Sequence, residues 1–519
     1  MDWSYDLLFE DERRLFARLS LFVGGCSLEA VESVCADIEV PRAEVLDIVS
    51  RLVDKSLVMA ATTGEARFAQ LQTLWEYGKE RLGASGEAET TRAKHGAYYR
   101  QMAEEAEQGL RGATAPAWRE RLTPELLNLK AALDWHLATD DTDAALSMAS
   151  GMAWLWFINS DYAEGARWLG CALRVENCGR PELRASAQAW LGYCVGMSSN
   201  PAAGVVQCEE AIGVLRSGAD HVRLAEALVL ASAVLVRAHE FVRSLEILRE
   251  AQLLLEEDEQ GWLLGAHDML VAWNMASLGR LDEAERAARS SVSRLDAAGE
   301  VLLVVSPLNA LAGIAAAKGD ITGAAAAYEA LVERCRATAQ HPYLPFALVA
   351  LAALRARQGE DQAADVLYRD AIRCSFNPWL SADAIVGQAA VARRLGDLDR
   401  ARTLLDAAAD SYRDADLPAG QPRVLAGLAW WALGAGQPDA ATTFASEAVI
   451  AARAIGDAET QVLADSAFAA AIAIADPSQD NADKLVALAQ RRGIGPSHRA
   501  LTDETDLVAL AARLTPVAG

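Results

Sequence analysis

Apolar and polar positions along this chain keep a helical period from about residue 141 onward, and a different rhythm in the first ninety residues. Mostly apolar stretches such as 224–237 and 343–357 alternate with amphipathic ones such as 281–295 and 398–412. Apolar residues recurring every three to four positions predict amphipathic helices, and an evenly apolar stretch predicts a helix buried all round. A short punctuation separates the two kinds. Gly279-Arg280-Leu281-Asp282-Glu283-Ala284 returns as Gly319-Asp320-Ile321-Thr322-Gly323-Ala324, and similar copies start at Gly359, Gly396 and Gly436. Weaker copies start at Ser160, Asn200 and His239, so successive starts lie 40, 39, 40, 40, 40, 37 and 40 residues apart. Each marker reads as a turn. Gly admits a left-handed helix C-cap, and the acidic residues that follow suit the positive N-terminus of the next helix. Two helices of this length cannot bury their faces alone, so they must stack on their neighbours.

Small residues stand at fixed offsets from these markers. Seven positions before lie Ala153, Tyr193, Ser232, Ala272, Ala312, Ala352, Ala389 and Ala429, small in seven of eight cases. Five after come Ala284, Ala324, Ala364, Ala401 and Ala441, and twelve after come Ala172, Ala251, Ala371, Ala408 and Ala448. Three offsets in register over about 141–475 resemble the tetratricopeptide repeat, although that family's usual period is shorter, about 34 residues. The resemblance implies an all-α, right-handed solenoid with longer helices than usual. It also implies a concave groove lined by the first helix of each repeat. Carried over by offset, the candidate groove residues are Trp154, Phe157, Trp190, Met197, Glu226, Met269, Trp273, Asn309, Phe346, Arg393, Arg423 and Trp430. Cys194, Val229, Ser306, Val349 and Asp383 fall on the same wall. Aromatic side chains make rigid anchors for ligands, but Trp also fills space between long helices, and both readings stay open. Trp156, Trp168 and Trp431 fall off the wall and are expected in the core.

The head follows another pattern. Residues 4–8 and 11–19 predict short helices, Ser27 caps a helix over 28–35, and a helix runs from Pro41 to Val53. Residues 57–59 and 67–71 predict strands around a turn at Ala61-Thr62-Thr63-Gly64-Glu65, and a helix follows over 74–82. By pattern this is a winged helix. The same stretch and its continuation carry Leu15-Phe16-Ala17-Arg18-Leu19-Ser20-Leu21-Phe22-Val23-Gly24-Gly25, His95-Gly96-Ala97-Tyr98-Tyr99 and Asn128-Leu129-Lys130-Ala131-Ala132-Leu133-Asp134-Trp135. With Trp3-Ser4-Tyr5-Asp6, Leu52-Val53-Asp54-Lys55-Ser56 and Leu74-Trp75-Glu76-Tyr77, these resemble LuxR-type, predicted-ATPase signal-transduction regulators. That resemblance implies an NTPase module before the winged helix, a tetratricopeptide-like sensor after it, and in some members a terminal helix-turn-helix. No G-x-x-x-x-G-K-[ST] loop occurs in this sequence, and no basic helix-turn-helix closes it. Met1 falls where the NTPase module would have ended.

Composition narrows the function. The 519 residues are 52% hydrophobic with a formal net charge of −24, the opposite of what counterion release from nucleic acid or an anionic membrane surface requires. In 1–90, nine basic residues face seventeen acidic ones, and the helix that would enter a DNA groove carries Glu44, Asp47 and Asp54. Eight scattered cysteines with no C-x-x-C fit reduced thiols in a cytoplasm, and the acidic N-terminus lacks a signal-peptide pattern. The charge-free stretch 301–317 is too short for a bilayer and holds Ser306, Pro307 and Asn309, so it reads as a buried helix. The seven His form no metal motif, and Gly495-Pro496-Ser497-His498-Arg499 lacks the glycine and strand of a nucleophile elbow. Glu104-Glu105 and Glu256-Glu257-Asp258-Glu259 read as solvated surface.

The expectation is therefore a cytoplasmic, non-catalytic sensor and interaction arm without cofactor or metal. Its domains are a winged helix over 1–90, a helical connector over 91–140, repeats over 141–490 and a tail over 491–519. Its partner is a protein (an NTPase module in trans is one choice) or a small-molecule effector; membranes are excluded, nucleic acid is disfavoured and homo-oligomerisation is left open. Two alternatives remain: a repeat scaffold without switching, and a transcription regulator that binds DNA through its winged helix.

Overall fold

The computed structural model describes residues 5–61, 66–174, 180–198, 200–255, 261–337, 343–375, 378–415, 417–455, 458–476 and 480–481. The expected tail over 491–519, the Gly495–Arg499 pattern, the acidic run at 256–259 and most of the turn at 62–65 lie outside the described residues, as does Trp3. Two compact units divide the chain, Met1–Trp262 with Ala298–Val301, and Leu263–Ala297 with Leu302–Gly519.

In the first unit, the head is α1 (Glu10–Leu19), β1 (Cys26–Ser27), α2 (Leu28–Cys35), α3 (Val45–Asp54), β2 (Met59–Ala61), β3 (Arg67–Ala69) and α4 (Gln72–Ser85). The strands pair antiparallel in the order β1-β3-β2, with Cys26 and Ala60 both opposite Phe68. Helix α2 has the expected bounds because Ser27 accepts the Ala30 amide in its cap. Leu57 and Val58, expected in a strand, instead finish α3: both amides turn back to the Leu52 carbonyl, and Ser56 takes φ 57°. That displaces the strand to residue 59. At two residues, β1 is too short to show alternation, and no pattern announced it. The connector forms α5 (Ala88–Gly109), α6 (Ala115–Leu122) and α7 (Leu126–Ala138). Three hairpins follow, α8 (Thr142–Asn159) with α9 (Tyr162–Leu173), α10 (Pro181–Ser198) with α11 (Pro201–Leu215), and α12 (His221–Arg237) with α13 (Phe241–Leu254).

The second unit continues the alternation. It holds α14 (Gly261–Ser277, from Leu263) and α15 (Leu281–Ala297), α16 (Val305–Ala317) and α17 (Ile321–Ala337), α18 (Leu344–Arg357) and α19 (Asp361–Cys374). Then come α20 (Pro378–Arg394) and α21 (Leu398–Asp414), α22 (Gln421–Gly434) and α23 (Pro438–Ile455), and α24 (Ala458–Ala475). The charge-free stretch becomes α16, whose Ser306, Pro307 and Asn309 are all buried. Among the described residues no helix is long and apolar enough to cross a membrane.

The markers are left-handed turns. Ser160, His239, Gly279, Gly319, Gly359, Gly396 and Gly436 have φ between 56° and 88°. At Gly319 the turn closes by amide bonds from Gly319 to Ala316 O and from Asp320 to Ala315 O, while the Asp320 carboxylate accepts the Gly323 amide. Asn200 departs from this, with φ −136°, and its side chain caps α11 through the Ala203 amide. A further such turn at Asp140 (φ 55°) joins α7 to α8; being neither Gly nor in the forty-residue spacing, it escaped the periodic reading. All the small positions are buried. Where the facing pair is Ser232 and Ser244 rather than two alanines, the hydroxyls bond each other at 2.7 Å.

Helices α10 and α11 approach closely at glycines. A Cβ on Gly204 would lie 2.5 Å from the Gly192 carbonyl and 2.6 Å from Gly196 Cα, whereas one on Gly213 of the same helix would meet nothing within 4 Å. Gly204→Ala should therefore destabilise the protein by about 1–3 kcal/mol, and Gly213→Ala should stabilise it by about 0.5–1 kcal/mol. Urea unfolding of the two variants checks both signs.

Candidate functional site

Three of the motifs that carry the family resemblance meet in one buried polar seam between head and connector. Asn128 on α7 accepts the Val23 amide at 2.7 Å and donates to the Gly25 carbonyl at 2.9 Å and to Glu125 at 2.7 Å. Glu125 is 3% exposed and also takes the Tyr99 hydroxyl at 2.7 Å and the Arg67 guanidinium. His95 packs on Tyr99 with ring centroids 4.6 Å apart, and burial pushes it down to about 4, so its ring is neutral. Buried polar groups of this kind are stable only when each is satisfied, and here one carboxamide and one carboxylate serve a loop, a strand and two helices.

The candidate wall residues of the first unit form a second cluster. Trp154 stacks on Phe157 at 4.5 Å and meets Trp190 edge-on at 6.0 Å, and Tyr193 packs against both Phe157 and Trp190. Trp154 and Trp190 are buried, Phe157 and Met197 half-buried. Half-buried Glu226 is paired: Arg111, from the turn after α5, donates to it at 2.7 Å, and the same guanidinium lies 4.3 Å over Trp262. The preceding carbonyl, Leu110 O, accepts Trp154 Nε1 at 2.7 Å, and the following amide, Gly112 N, donates to the buried Glu300 at 2.7 Å. Arg111, Trp262 and Glu300 were not among the sequence candidates. Glu226 was the one available signal, as the lone charged residue among the first unit's wall positions.

In the second unit the candidates do not gather in one place. Half-buried Trp273 donates to Ser306 Oγ at 3.4 Å, Met269 is half-buried, buried Asn309 takes the Tyr328 hydroxyl on its backbone carbonyl, and Phe346 tilts against Tyr343. Farther along, the Arg393 guanidinium lies 5.5 Å over the buried Trp430 ring, beside a narrow crevice lined by Val386, Ala389, Leu405 and Gly427. Among the described residues Trp430 Nε1 meets no acceptor. Buried Arg423 lies 3.8 Å from Asp383, which also accepts the Tyr412 hydroxyl. Trp156 and Trp168 are buried, and Trp431 donates to the Leu398 carbonyl at 2.9 Å.

Burial pushes the thiols of Cys35, Cys194, Cys208 and Cys335 up to about 12, which keeps them protonated. No group of three His, Cys, Asp or Glu able to hold a metal occurs among the described residues.

Burial raises the Glu226 carboxyl above its ordinary range, with Arg111 pulling the other way. The native state thus holds that proton more tightly than the unfolded chain, and Glu226 costs stability as pH rises from its unfolded pKa towards its folded one. Removing Arg111 removes the compensating cation. Arg111→Ala should cost about 1–3 kcal/mol at neutral pH, with the gap from wild type narrowing on mild acidification as Glu226 protonates. Urea unfolding at both pH values checks this, and a gap independent of pH would contradict it.

No family model matches this chain. Over 243 residues it is 33% identical to a protein of Mycobacterium bovis provisionally named as an HTH-type transcriptional regulator, a match covering 44% of this chain. It spans 27% of that relative's length. Over 103 residues it is also 33% identical to an uncharacterised Mycobacterium tuberculosis protein, covering 20% of this chain and 26% of the relative. Among solved structures, a signal-transduction ATPase with numerous domains and a tetratricopeptide repeat sensor, from Pyrococcus horikoshii, superimposes with a TM-score of 0.50. That likeness covers 98% of this chain and 66% of the other at 12% identity. With the helical hairpins described above, it shows the fold: a tetratricopeptide-like α-solenoid, as the repeat register led us to expect.

Proposed function

We propose that this chain is a non-catalytic sensor and protein-interaction arm of a signal-transduction or transcriptional regulator. Its parts are a winged helix over 1–90, a connector over 91–140, repeats over 141–490 and a tail over 491–519. The observation that carries the reading is the buried seam on Asn128. It bonds the Val23–Gly25 turn of the head to α7, and α7 runs directly into the first repeat helix through the turn at Asp140. A ligand that prefers one arrangement of the repeats shifts the head only by its difference in affinity between two arrangements, and the seam supplies the route. The stretch related to a provisionally named transcriptional regulator, and the fold shared with an ATPase carrying a repeat sensor, support the same assignment. The ligand is a protein segment or small effector in the groove, and the head hands the change to a partner such as an NTPase module in trans.

Direct DNA binding by the head is the weaker reading, because its cations are already engaged. Arg51 pairs with Asp11 and Glu12, Lys55 with Glu12, and Arg42 with Glu32. Phosphate would have to displace those carboxylates.

A thermal-shift screen of the full chain against metabolites and peptides tests the assignment. A ligand at one hundred times its Kd should stabilise the chain by about 2.7 kcal/mol, and hydrogen exchange in the bound state should slow in 20–27 of the head as well as in the repeats. Stabilisation confined to the repeats would mark a plain scaffold, and salt-sensitive binding of duplex DNA would mark the third reading.

A further inference from the structure

Residues 110–112 are held in the manner of a bound peptide. Three consecutive residues are each gripped by a different kind of contact: the Leu110 carbonyl by Trp154 Nε1 (2.7 Å), the Arg111 guanidinium by Glu226 (2.7 Å) and the face of Trp262 (4.3 Å), and the Gly112 amide by Glu300 (2.7 Å). Arg111 is extended (φ −109°, ψ 135°) and Gly112 left-handed (φ 80°). Trp154 and Glu226 sit at the offsets that the repeat register assigns to the ligand-facing wall. Backbone contacts on either side of one charged side chain are how an extended segment is read in register, and a carboxylate beside an aromatic face selects a guanidinium over an ammonium. The Arg111 and Glu226 side chains keep 17% and 15% exposure, so the slot is reachable from solvent at its rim.

We propose that this end of the wall is a recognition site for an extended, arginine-bearing segment of a partner protein, and that 110–112 is its resident occupant. The proposal rests on the interaction-arm reading and names the chemistry of one partner. A competing segment must place its arginine between Trp262 and Glu226 and free the turn that connects α5 to α6. Tethering gives the resident segment an effective concentration in the millimolar range, so the wild-type chain responds only to high peptide concentrations.

The probe is a fluorescent peptide with the sequence of residues 106–116. The Arg111→Ala chain should bind it at least tenfold more tightly than wild type does. Replacing the peptide's arginine by glutamine, or adding Glu226→Gln to the variant chain, should weaken binding at least tenfold. In wild type, millimolar peptide should accelerate hydrogen exchange of the 110–114 amides, a readout that does not depend on the variant folding. A folded Arg111→Ala chain that binds no better than wild type, equal binding of the glutamine peptide, or unchanged exchange in wild type would each overturn the proposal. The interaction-arm reading would survive such a result if an effector still stabilised the full chain in the thermal-shift screen.

Discussion

Everything in this fold depends on two helices coming close enough to lock at small side chains once in every forty or so residues. From His239 onward, alanine or serine stands seven residues before each marker turn and five after it, and all of these positions are buried. An alanine methyl buries little surface, so one such contact contributes little. Stability accumulates through length and number: long hairpins, each packed on its neighbours within its unit, in the additive manner of repeat proteins. The same constraint explains the composition. Large side chains such as Tyr328, Leu348 and Tyr368 fill the core around these contacts, and most of the turns carry glycine because a left-handed cap must be made in one residue.

Two buried polar groups of the first unit join segments distant in sequence. Asn128 ties a head turn 105 residues away, and Glu300 holds an amide 188 residues away. Each such group is costly to bury alone and cheap once paired, which makes it sensitive to the arrangement of its partners. Apolar contacts tolerate small slides; these bonds do not. The Asn128 seam and the Arg111 turn are two places in the first unit where such bonds gather.

How far the chain could be read in advance follows from the range of each interaction. The turns at Gly279, Gly319, Gly359, Gly396 and Gly436 and the small positions around them are local and repeated, so spacing alone located them. Helix α2 was readable from Ser27 for the same reason. The clustering of Trp154, Phe157 and Trp190 followed from the register, since wall positions on successive first helices are neighbours in space. Arg111 was not readable: it is one of 48 basic residues, and only the tertiary fold carries it to Glu226 and Trp262. Glu300 stands just outside a helix, where no periodic pattern reaches. Ser56 and Asp140 make left-handed turns without glycine, and each displaced or hid an element boundary.

We propose that head, connector and first repeats form one cooperative body joined through Asn128. Hydrogen exchange across the full chain, compared between wild type and Asn128→Ala, measures it directly. Protection should fall together in the Val23–Gly25 turn, in β3 and across α5 and α7, with the second unit unchanged. Loss of protection confined to the residues touching position 128, with the rest of the head and connector exchanging as in wild type, would contradict it.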